Sequence, residues 1–288
     1  MHDFKYASPE SVEDVCTLLD EHGTDAAIIS GGQSLMPMLR LRAAQPECLI
    51  DINRLPDRDY VELTDDEIRI GCLARHVDVE RSEVVEEHCP VLAEVAAEIG
   101  DMQVRNRGTF CGSIAHADPS GDPPVLATLL DAMIVAETVD GTDWYSGDGF
   151  YHGFYETDID KNTLVTEVRF PVLDDNQGTG YEKYEPSEGA YPVATVGAIV
   201  RLDDGVVTDV GLVTGAVEPG PIRIPEAEDH LEDQEPTDDR VATAAELAGE
   251  NVTPVGDHEG TPEFKIEMTK TLAKRALDTA IERAGENE

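Results

Sequence analysis

Two glycine-containing turns hold the residues of this sequence that are best suited to bind a ligand. The first turn, at residues 30–34, reads Ser-Gly-Gly-Gln-Ser; it follows an apolar run at residues 26–29 and precedes a helix-like stretch that begins at Leu35. Glycines between a strand and a helix let the backbone approach a ligand without interference from a Cβ atom. The amides that open the next segment have no helical acceptor and can bind an anion. A diphosphate is the ligand that best suits such a turn.

The first turn matches neither of the two common phosphate-binding motifs. A P-loop would need Gly-Lys-Ser or Gly-Lys-Thr after the second glycine, and the Rossmann fingerprint would need a third glycine within a few residues. Neither follows Gly32, because the next glycine is Gly71. An isolated Gly-Gly pair is also typical of a plain tight turn, so this turn alone leaves both interpretations open.

The second turn, at residues 105–119, repeats these features further along the chain. It contains two spaced glycines and two small hydroxyl residues, which are Gly108, Gly112, Thr109 and Ser113. Two such turns could close on one diphosphate from two sides, with backbone amides supplying most of the positive potential.

Arg105 and Arg107 also lie in the second turn, in a chain that has 21 lysine and arginine residues in all. Their side chains could face the phosphates, or they could pair with the abundant carboxylates. We favour structural pairing for at least one of the two.

The overall charge makes some classes of partner unfavourable. The 61 Asp and Glu residues against 21 Lys and Arg residues give a net charge of −40. A surface this acidic repels nucleic acids and anionic membranes. Either a basic partner or a high-salt environment, in which counterions screen the repulsion, would account for the charge. The even spread of carboxylates along the chain and the scarcity of lysine favour a halophilic protein.

Other global features indicate a cytoplasmic protein. The five cysteines are scattered without a Cys-x-x-Cys pair, which argues against a disulfide framework, a zinc site or an iron–sulfur cluster carried by this chain. The first residues lack the basic and apolar regions of a signal peptide. No apolar run approaches the roughly 18 residues that are needed to cross a bilayer.

The elements that must position the two turns fall into three segments. Residues 1–57 predict a compact βαβ-like lobe. Within it we expect a helix at residues 8–23, capped by Ser8, and strands at residues 25–30 and 47–55.

Residues 58–176 predict a second α/β lobe, and residues 177–288 predict a C-terminal α+β domain. The second lobe is expected to contain a hairpin, two helices and two strands, at residues 61–80, 88–101, 125–132, 133–137 and 162–172. In the C-terminal domain, residues 178–224 hold three strand candidates separated by turn residues, which suggests a meander. Residues 263–285 predict a helix that packs on one side of this sheet.

The sequences GGQSLMPMLRLR and VRNRGTFCGSIAHADPSGDPPVLATLLDA resemble those of the FAD-binding medium subunits of molybdenum hydroxylases. The resemblance is greatest to the medium subunit of aerobic carbon monoxide dehydrogenase, and the FAD domain of xanthine dehydrogenase shares the pattern. It covers essentially the whole chain. It implies an α+β architecture, with a para-cresol-methylhydroxylase-type FAD-binding fold of two α/β lobes followed by a C-terminal antiparallel sheet with helices on one side.

The resemblance also implies a set of FAD-binding residues. The two turns would hold the diphosphate, and four further residues would contact the cofactor elsewhere. The first group is Ile29, Ser30, Gly31, Gly32, Gln33, Ser34, Leu35, Thr109, Phe110, Cys111, Gly112 and Ser113, and the second is Ile99, Asp122, Val165 and Lys183.

Some of these positions also allow a purely structural interpretation. Lys183 could be a surface lysine on a strand, but its register with the family favours a place near the flavin ring, where a cation would favour the reduced cofactor electrostatically. Tyr191 could stack near the ring or could simply start a strand. His116 and Asp118 are two potential metal ligands, too few for a site, and we assign them to the bend after the second turn.

Cys111 is the visible departure from the family pattern. The family usually has Thr-Ile-Gly-Gly in the second turn, where this chain has Thr-Phe-Cys-Gly at residues 109–112. If residue 111 had a positive φ, a cysteine there would be strained and the geometry of the loop would change.

The function that the resemblance implies is electron transfer. The chain would bind one FAD without a covalent link and without a catalytic residue of its own, and would pass electrons from [2Fe–2S] clusters through FAD to an external acceptor. Its partners would be a large molybdopterin-binding subunit and a small subunit with two [2Fe–2S] clusters, assembled as a dimer of heterotrimers. Two alternatives remain, a self-contained flavin oxidase of the same fold and a non-catalytic scaffold protein with a vestigial nucleotide pocket.

Overall fold

The computed structural model describes residues 3–64, 66–187 and 189–286. Within these residues the strands form three larger sheets and one short hairpin. Each larger sheet lies inside one of the three segments that the sequence predicts, and helices cover the sheets to give a mixed α+β protein.

The first sheet is a small parallel sheet. Its strands lie in the order β1-β3-β2, and all neighbours run parallel. The elements of this region are β1 (Lys5–Ala7), α1 (Val12–His22), β2 (Ala26–Ile29), α2 (Leu35–Leu41) and β3 (Cys48–Asp51). The first glycine turn therefore connects β2 to α2, as the sequence predicts.

Helix α1 begins later than predicted. Ser11, and not Ser8, is its N-cap, because the Ser11 Oγ accepts a hydrogen bond of 3.1 Å from the backbone N–H of Asp14. The Ser8 hydroxyl is buried and has no hydrogen-bond partner in the described part of the chain. The prediction placed the cap one turn too early, because Ser8 and Ser11 both precede acidic residues.

The second sheet is antiparallel and has the strand order β4-β5-β10-β6-β7. Short helices connect its edges and surround the second glycine turn. The elements of this region are β4 (Val61–Thr64), β5 (Glu67–Gly71), α3 (His76–Glu80), α4 (Glu83–His88), α5 (Pro90–Ala97), α6 (Met102–Arg105), α7 (Phe110–His116), α8 (Asp122–Leu129), β6 (Met133–Thr138), β7 (Gly141–Ser146), β8 (Tyr151–Gly153), β9 (Glu156–Thr157) and β10 (Leu164–Pro171).

Two predictions for this region need correction. The predicted hairpin at residues 61–80 ends at Gly71, and the chain then forms helix α3, in which the side chains of His76 and Val79 are buried. The second turn is more helical than expected, because α6 and α7 lie on either side of Gly108.

The third sheet is the predicted meander, extended by a short fourth strand. The three long strands pair consecutively and antiparallel. The elements are β11 (Gln177–Tyr184), β12 (Ala194–Asp203), β13 (Val206–Gly215), β14 (Ile222–Arg223), α9 (Pro225–Leu231), α10 (Asp238–Glu250) and α11 (Pro262–Glu286). Helices α9 and α10 were not predicted from the sequence.

Glycines allow helices to pack closely on both faces of the third sheet. A Cβ atom at Gly178 would lie 2.0 Å from the carbonyl oxygen of Ala280, so α11 contacts β11 through its backbone. On the opposite face, a Cβ atom at Gly197 would lie 2.9 Å from the side chain of Leu129 in α8. Helix α8 therefore joins the C-terminal sheet to the second lobe, next to the second glycine turn.

In the part of the chain that the structure describes, no helix is both long and apolar enough to cross a membrane. All five cysteines are buried and free.

Candidate functional site

A cavity of about 900 Å³ collects residues from all three sheet regions. Nearly all of the cofactor residues that the sequence predicts line it. These are Ile29, Ser30, Gly31, Gly32, Gln33, Ser34, Leu35, Ile99, Thr109, Cys111, Gly112, Ser113, Asp122, Val165 and Lys183. Phe110 is the exception.

The two glycine loops touch each other along one wall of this cavity. The hydroxyl oxygens of Ser30 and Thr109 lie 2.7 Å apart and share a hydrogen bond. A Cβ atom on Gly31 would lie 2.4 Å from the carbonyl oxygen of Arg107 and 2.6 Å from the Cα atom of Gly108. Only glycine fits at position 31, because backbone atoms of the other loop already fill the space of a side chain.

The backbone amides of both loops are free to bind an anion. Among residues 3–64, 66–187 and 189–286, no protein acceptor takes a hydrogen bond from the N–H groups of residues 30–35. Within the same residues, the N–H groups of Cys111 and Gly112 donate no hydrogen bond to an acceptor in another residue. A run of unpaired amides facing a cavity binds phosphate oxygens well, because each N–H carries a partial positive charge.

Two side chains that the sequence analysis missed hold the loops together. Arg75 donates one hydrogen bond of 2.5 Å to the carbonyl oxygen of Arg107 and another of 2.7 Å to the Oδ1 atom of Asn53. Asn53 in turn donates a hydrogen bond of 2.8 Å to the carbonyl oxygen of Ser30. The chain Ser30–Asn53–Arg75–Arg107 thus links the first loop to the second through side chains outside both.

Arg105 has the structural role that we favoured. Its Nε donates to Glu80 at 2.9 Å, and its Nη1 donates to the carbonyl oxygens of Ile99 and Gly100 at 3.4 and 3.3 Å. These bonds hold the segment that carries Ile99 at the edge of the cavity. The interpretation of this arginine as a structural ion pair is confirmed.

Phe110 points away from the cavity. Its side chain is fully buried, with edge-to-face contacts to the rings of His76 and Phe170. Its N–H donates to the carbonyl oxygen of Ala74 and is therefore not free for a phosphate. The prediction of Phe110 as a cofactor ligand followed from its place in the motif, whereas the structure places it in the core behind the loop.

The condition for strain at Cys111, a positive φ, is not met. Cys111 lies in helix α7 and does not have a positive φ. Its thiol is buried and donates to the carbonyl oxygen of Ile70 at 3.3 Å. The cysteine side chain fills the core, so a non-glycine residue is compatible with this loop.

A neutral histidine lies on the cavity wall beside the second loop. His76 is 4% exposed, and its ring would contact any side chain placed on Gly108. Burial, with Arg105 and Arg75 nearby, lowers the pKa of His76 to about 4, so that the imidazole carries no charge at pH 7. His76 therefore adds no positive charge beside the second loop.

Lys183 and Asp122 form a buried ion pair at the cavity. The Lys183 Nζ lies 3.2 Å from Asp122 and 2.8 Å from Glu185, and it donates to the carbonyl oxygen of Glu98 at 2.9 Å. The Tyr181 hydroxyl donates to the other oxygen of Asp122 at 2.7 Å. Burial works against the lysine charge, but the carboxylates of Asp122 and Glu185 outweigh it and raise the pKa of Lys183.

Comparison with known proteins identifies the family. Residues 2–173 match the model of the FAD-binding domain in molybdopterin dehydrogenase, and residues 179–280 match that of the CO dehydrogenase flavoprotein C-terminal domain. The chain belongs to the molybdopterin dehydrogenase FAD-binding family. As a member it is a subunit of an oxidoreductase, and its cofactor is FAD.

Similar proteins match along nearly their whole length. The carbon monoxide dehydrogenase medium chain of Hydrogenophaga pseudoflava is 35% identical over 277 residues, which cover 96% of this chain and 96% of the relative. The glyceraldehyde dehydrogenase medium chain of Sulfolobus acidocaldarius is 34% identical over 275 residues, which cover 96% and 97%.

A solved structure of carbon monoxide dehydrogenase from Hydrogenophaga pseudoflava, which lacks the Mo-pyranopterin moiety, has a TM-score of 0.95 to this chain. The match has 36% sequence identity and covers 97% of this chain and 98% of that chain. The family, the fold class and the FAD cofactor that the sequence predicted are thereby confirmed.

The cavity residues fit the cofactor of this family. FAD carries a diphosphate between two planar ring systems, and the two loops present unpaired amides at one wall of a cavity of about 900 Å³. That volume is typical of pockets for small molecules and cofactors. The glycines let the two loops lie in close contact, so that the free amides of both belong to one wall of the cavity, where an extended diphosphate would need them.

Proposed function

We propose that this chain is the electron-transfer subunit of a molybdenum hydroxylase and that its FAD binds in the cavity between the two loops. The observation that carries the proposal is the joined pair of loops, whose unpaired amides share one wall. The names of similar proteins support it, because they are medium chains of carbon monoxide and glyceraldehyde dehydrogenases.

In this proposal the partners are a large molybdopterin-binding subunit and a small subunit with two [2Fe–2S] clusters. The substrate is oxidised on the large subunit, electrons travel through the clusters, and an external acceptor takes them from this chain. The assembly is a dimer of heterotrimers in the cytoplasm.

The residues that line or support the cavity divide the task of binding FAD among them. The amides of residues 30–35 and of Cys111 and Gly112 would hold the diphosphate, while Arg75 and Asn53 keep the two loops in contact. Asp122 and Lys183 would contact the cofactor elsewhere in the cavity. Bound FAD supplies the redox chemistry, since it accepts and releases electrons reversibly.

The direct test removes FAD from the complete assembly. The tagged chain is purified from the cells that make it, and we expect it to bring two partners, molybdenum, iron and acid-releasable flavin. After FAD is removed, substrate should still bleach the iron–sulfur absorbance, but electrons should no longer reach the external acceptor until FAD is added back. A complex that delivers electrons equally well without FAD would contradict the proposal.

We also propose that the protein is adapted to high salt. With a net charge of −40, its folded state is destabilised by repulsion among carboxylates, and salt screens this repulsion. We expect the melting temperature to rise steadily as KCl increases to molar concentrations, measured by scanning calorimetry. A melting temperature that stays flat or falls over this range would rule out the adaptation.

A charge-reduced variant provides the matched control for the salt experiment. Asp20, Glu21 and Glu250 are exposed carboxylates at or near the ends of helices α1 and α10. The combined change Asp20→Lys, Glu21→Lys and Glu250→Lys removes three negative charges and adds three positive ones, which changes the net charge from −40 to −34. Its melting temperature should depend less on KCl than that of the wild-type protein.

A further inference from the structure

A short hairpin between β8 and β9 forms part of the cavity wall. The backbone of Tyr151 pairs with that of Thr157, and Gly153 pairs with Glu156, so that Phe154 and Tyr155 form the tip. His152 and Asp158 strengthen the base of the hairpin with a contact of 2.5 Å between Nε2 and Oδ1. Tyr155 lines the cavity, whereas Phe154 lies outside the lining.

Tyr155 has a backbone conformation that is unfavourable for a tyrosine. Its φ is 59°, in the left-handed region where glycine or asparagine is normally found. An aromatic residue in this region is rare, and such outliers concentrate at ligand-binding and active sites. The hairpin would form with less strain if a glycine occupied this position, so the fold alone does not explain the tyrosine.

The Tyr155 ring packs against a ring that comes from the second loop. Its centroid lies 5.0 Å from that of His116, with an angle of 42° between the planes. His116 is the last residue of α7, the helix in which Cys111 and Gly112 present their free amides. At a rise of about 1.5 Å per residue, His116 lies roughly 6 Å along this helix from the amide of Gly112.

That spacing places an aromatic pair beyond the loop that would hold a diphosphate. In a dinucleotide, a sugar or ribityl unit separates each planar ring from the diphosphate. Tyr155 is 54% exposed in the protein, and an exposed aromatic residue that lines a cavity is suited to stack on a planar ligand.

We propose that Tyr155 is a cofactor-binding residue whose ring packs on a planar ring of FAD, and that the protein tolerates the strained backbone at this position to keep the ring there. This inference rests on the proposed placement of FAD in the cavity. It adds a contact from a segment outside both glycine loops.

The test separates the effect of the Tyr155 ring on FAD binding from the effect of its strained backbone on stability. Tyr155→Gly and Tyr155→Ala both remove the ring, but only glycine relieves the positive φ. We expect both variants to bind FAD about five- to tenfold more weakly than the wild-type protein in calorimetric titrations. The apoprotein of the glycine variant should nevertheless melt about 2 °C above that of the alanine variant.

Two further variants serve as controls. Tyr155→Phe keeps the ring and should bind FAD within about twofold of the wild-type affinity, since the hydroxyl contact with Asp118 is long, at 3.5 Å. Phe154→Ala removes the neighbouring exposed ring, which does not line the cavity, and should leave FAD affinity unchanged.

Titration with ADP tells which ring of FAD is contacted. An unchanged ADP affinity in Tyr155→Gly assigns the contact to the flavin, and an ADP affinity reduced as much as that for FAD assigns it to adenine. Wild-type FAD affinity in Tyr155→Gly, or a loss in Tyr155→Phe as large as in Tyr155→Ala, would overturn the proposal. The FAD affinity of the Gly31→Ala variant tests the placement of FAD separately, because Gly31 contacts the other loop.

Discussion

Replacement of Gly31 by alanine is expected to lower the FAD affinity by about 100-fold or more. The added Cβ atom would lie 2.4 Å from the carbonyl oxygen of Arg107 and 2.6 Å from the Cα atom of Gly108. Both are backbone atoms, so neither can turn aside and the two loops must separate. A shift that breaks two hydrogen bonds to a charged diphosphate costs about 3 kcal/mol or more, which is about 100-fold in affinity.

Isothermal titration of the apoprotein with FAD measures this effect. Gly285→Ala is the matched control, because Gly285 lies in helix α11 and the nearest atom to its added Cβ would be a Leu202 methyl at 3.9 Å. We expect this control to bind FAD like the wild-type protein. An affinity of Gly31→Ala within threefold of the wild-type value would show that the loops do not grip the cofactor.

A second glycine variant distinguishes a direct loss of FAD binding from misfolding. A Cβ atom at Gly112 would lie 2.4 Å from Thr109 Oγ1 and 3.2 Å from Ser30 Oγ, which are side-chain atoms that can rotate. Gly112→Ala should therefore fold, lose the hydroxyl contact between the loops, and bind FAD more weakly. If Gly31→Ala melts far below the wild-type protein, the affinity of Gly112→Ala decides the question.

Replacement of Lys183 by methionine should destabilise the folded protein by about 3–5 kcal/mol. The side chains of Lys183 and Asp122 are each 7% exposed, and that of Glu185 is 14% exposed. Without the ammonium group, two largely buried carboxylates lose their cation and the carbonyl oxygen of Glu98 loses its donor. An uncompensated buried charge costs more than the ion pair itself contributes, because the two carboxylates have left water and no cation offsets their charge.

Urea unfolding of the apoprotein measures the loss. Lys274→Met is the control, since Lys274 and Asp278 form an ion pair of 2.7 Å whose side chains are 44% and 48% exposed, and we expect a change of about 0.5 kcal/mol or less. Asp122→Asn should cost about 1–2 kcal/mol, because Lys183 keeps Glu185 and the Tyr181 hydroxyl keeps an acceptor. A stability of Lys183→Met within 1 kcal/mol of the wild-type value would contradict the buried-pair argument.

The Lys183 cluster changes what this lysine could do for the cofactor. From the sequence, we interpreted Lys183 as a cation that would favour reduced flavin. The structure surrounds its ammonium with Asp122 and Glu185, and Glu98 lies 3.9 Å away, so the cluster as a whole is not cationic. Two of these carboxylates, Asp122 and Glu98, are remote from Lys183 in sequence, so the motif position of the lysine alone cannot reveal its local charge.

Local sequence was sufficient for the elements with strong periodicity or clear turns. The meander β11–β13 was predicted because alternating apolar residues are separated by turn residues such as Asp204 and Gly205. The position of α2 directly after the first glycine turn was also predicted. Helices α9 and α10 were missed because their acidic residues obscure the apolar stripe of Ala227, Leu231 and Val241, which the structure buries.

The sequence by itself determined the two loops, because glycine spacing and small hydroxyl residues are local properties of a chain. The family and the cofactor followed from the resemblance of these motifs to known medium subunits. The tertiary structure alone decided how the loops are joined and which residues point outward. Arg75 and Asn53 connect Arg107 to Ser30 across separate elements, while Phe110 is rotated into the core. These outcomes depend on contacts between residues far apart in sequence, and packing fixes such contacts only when the sheets and helices have assembled.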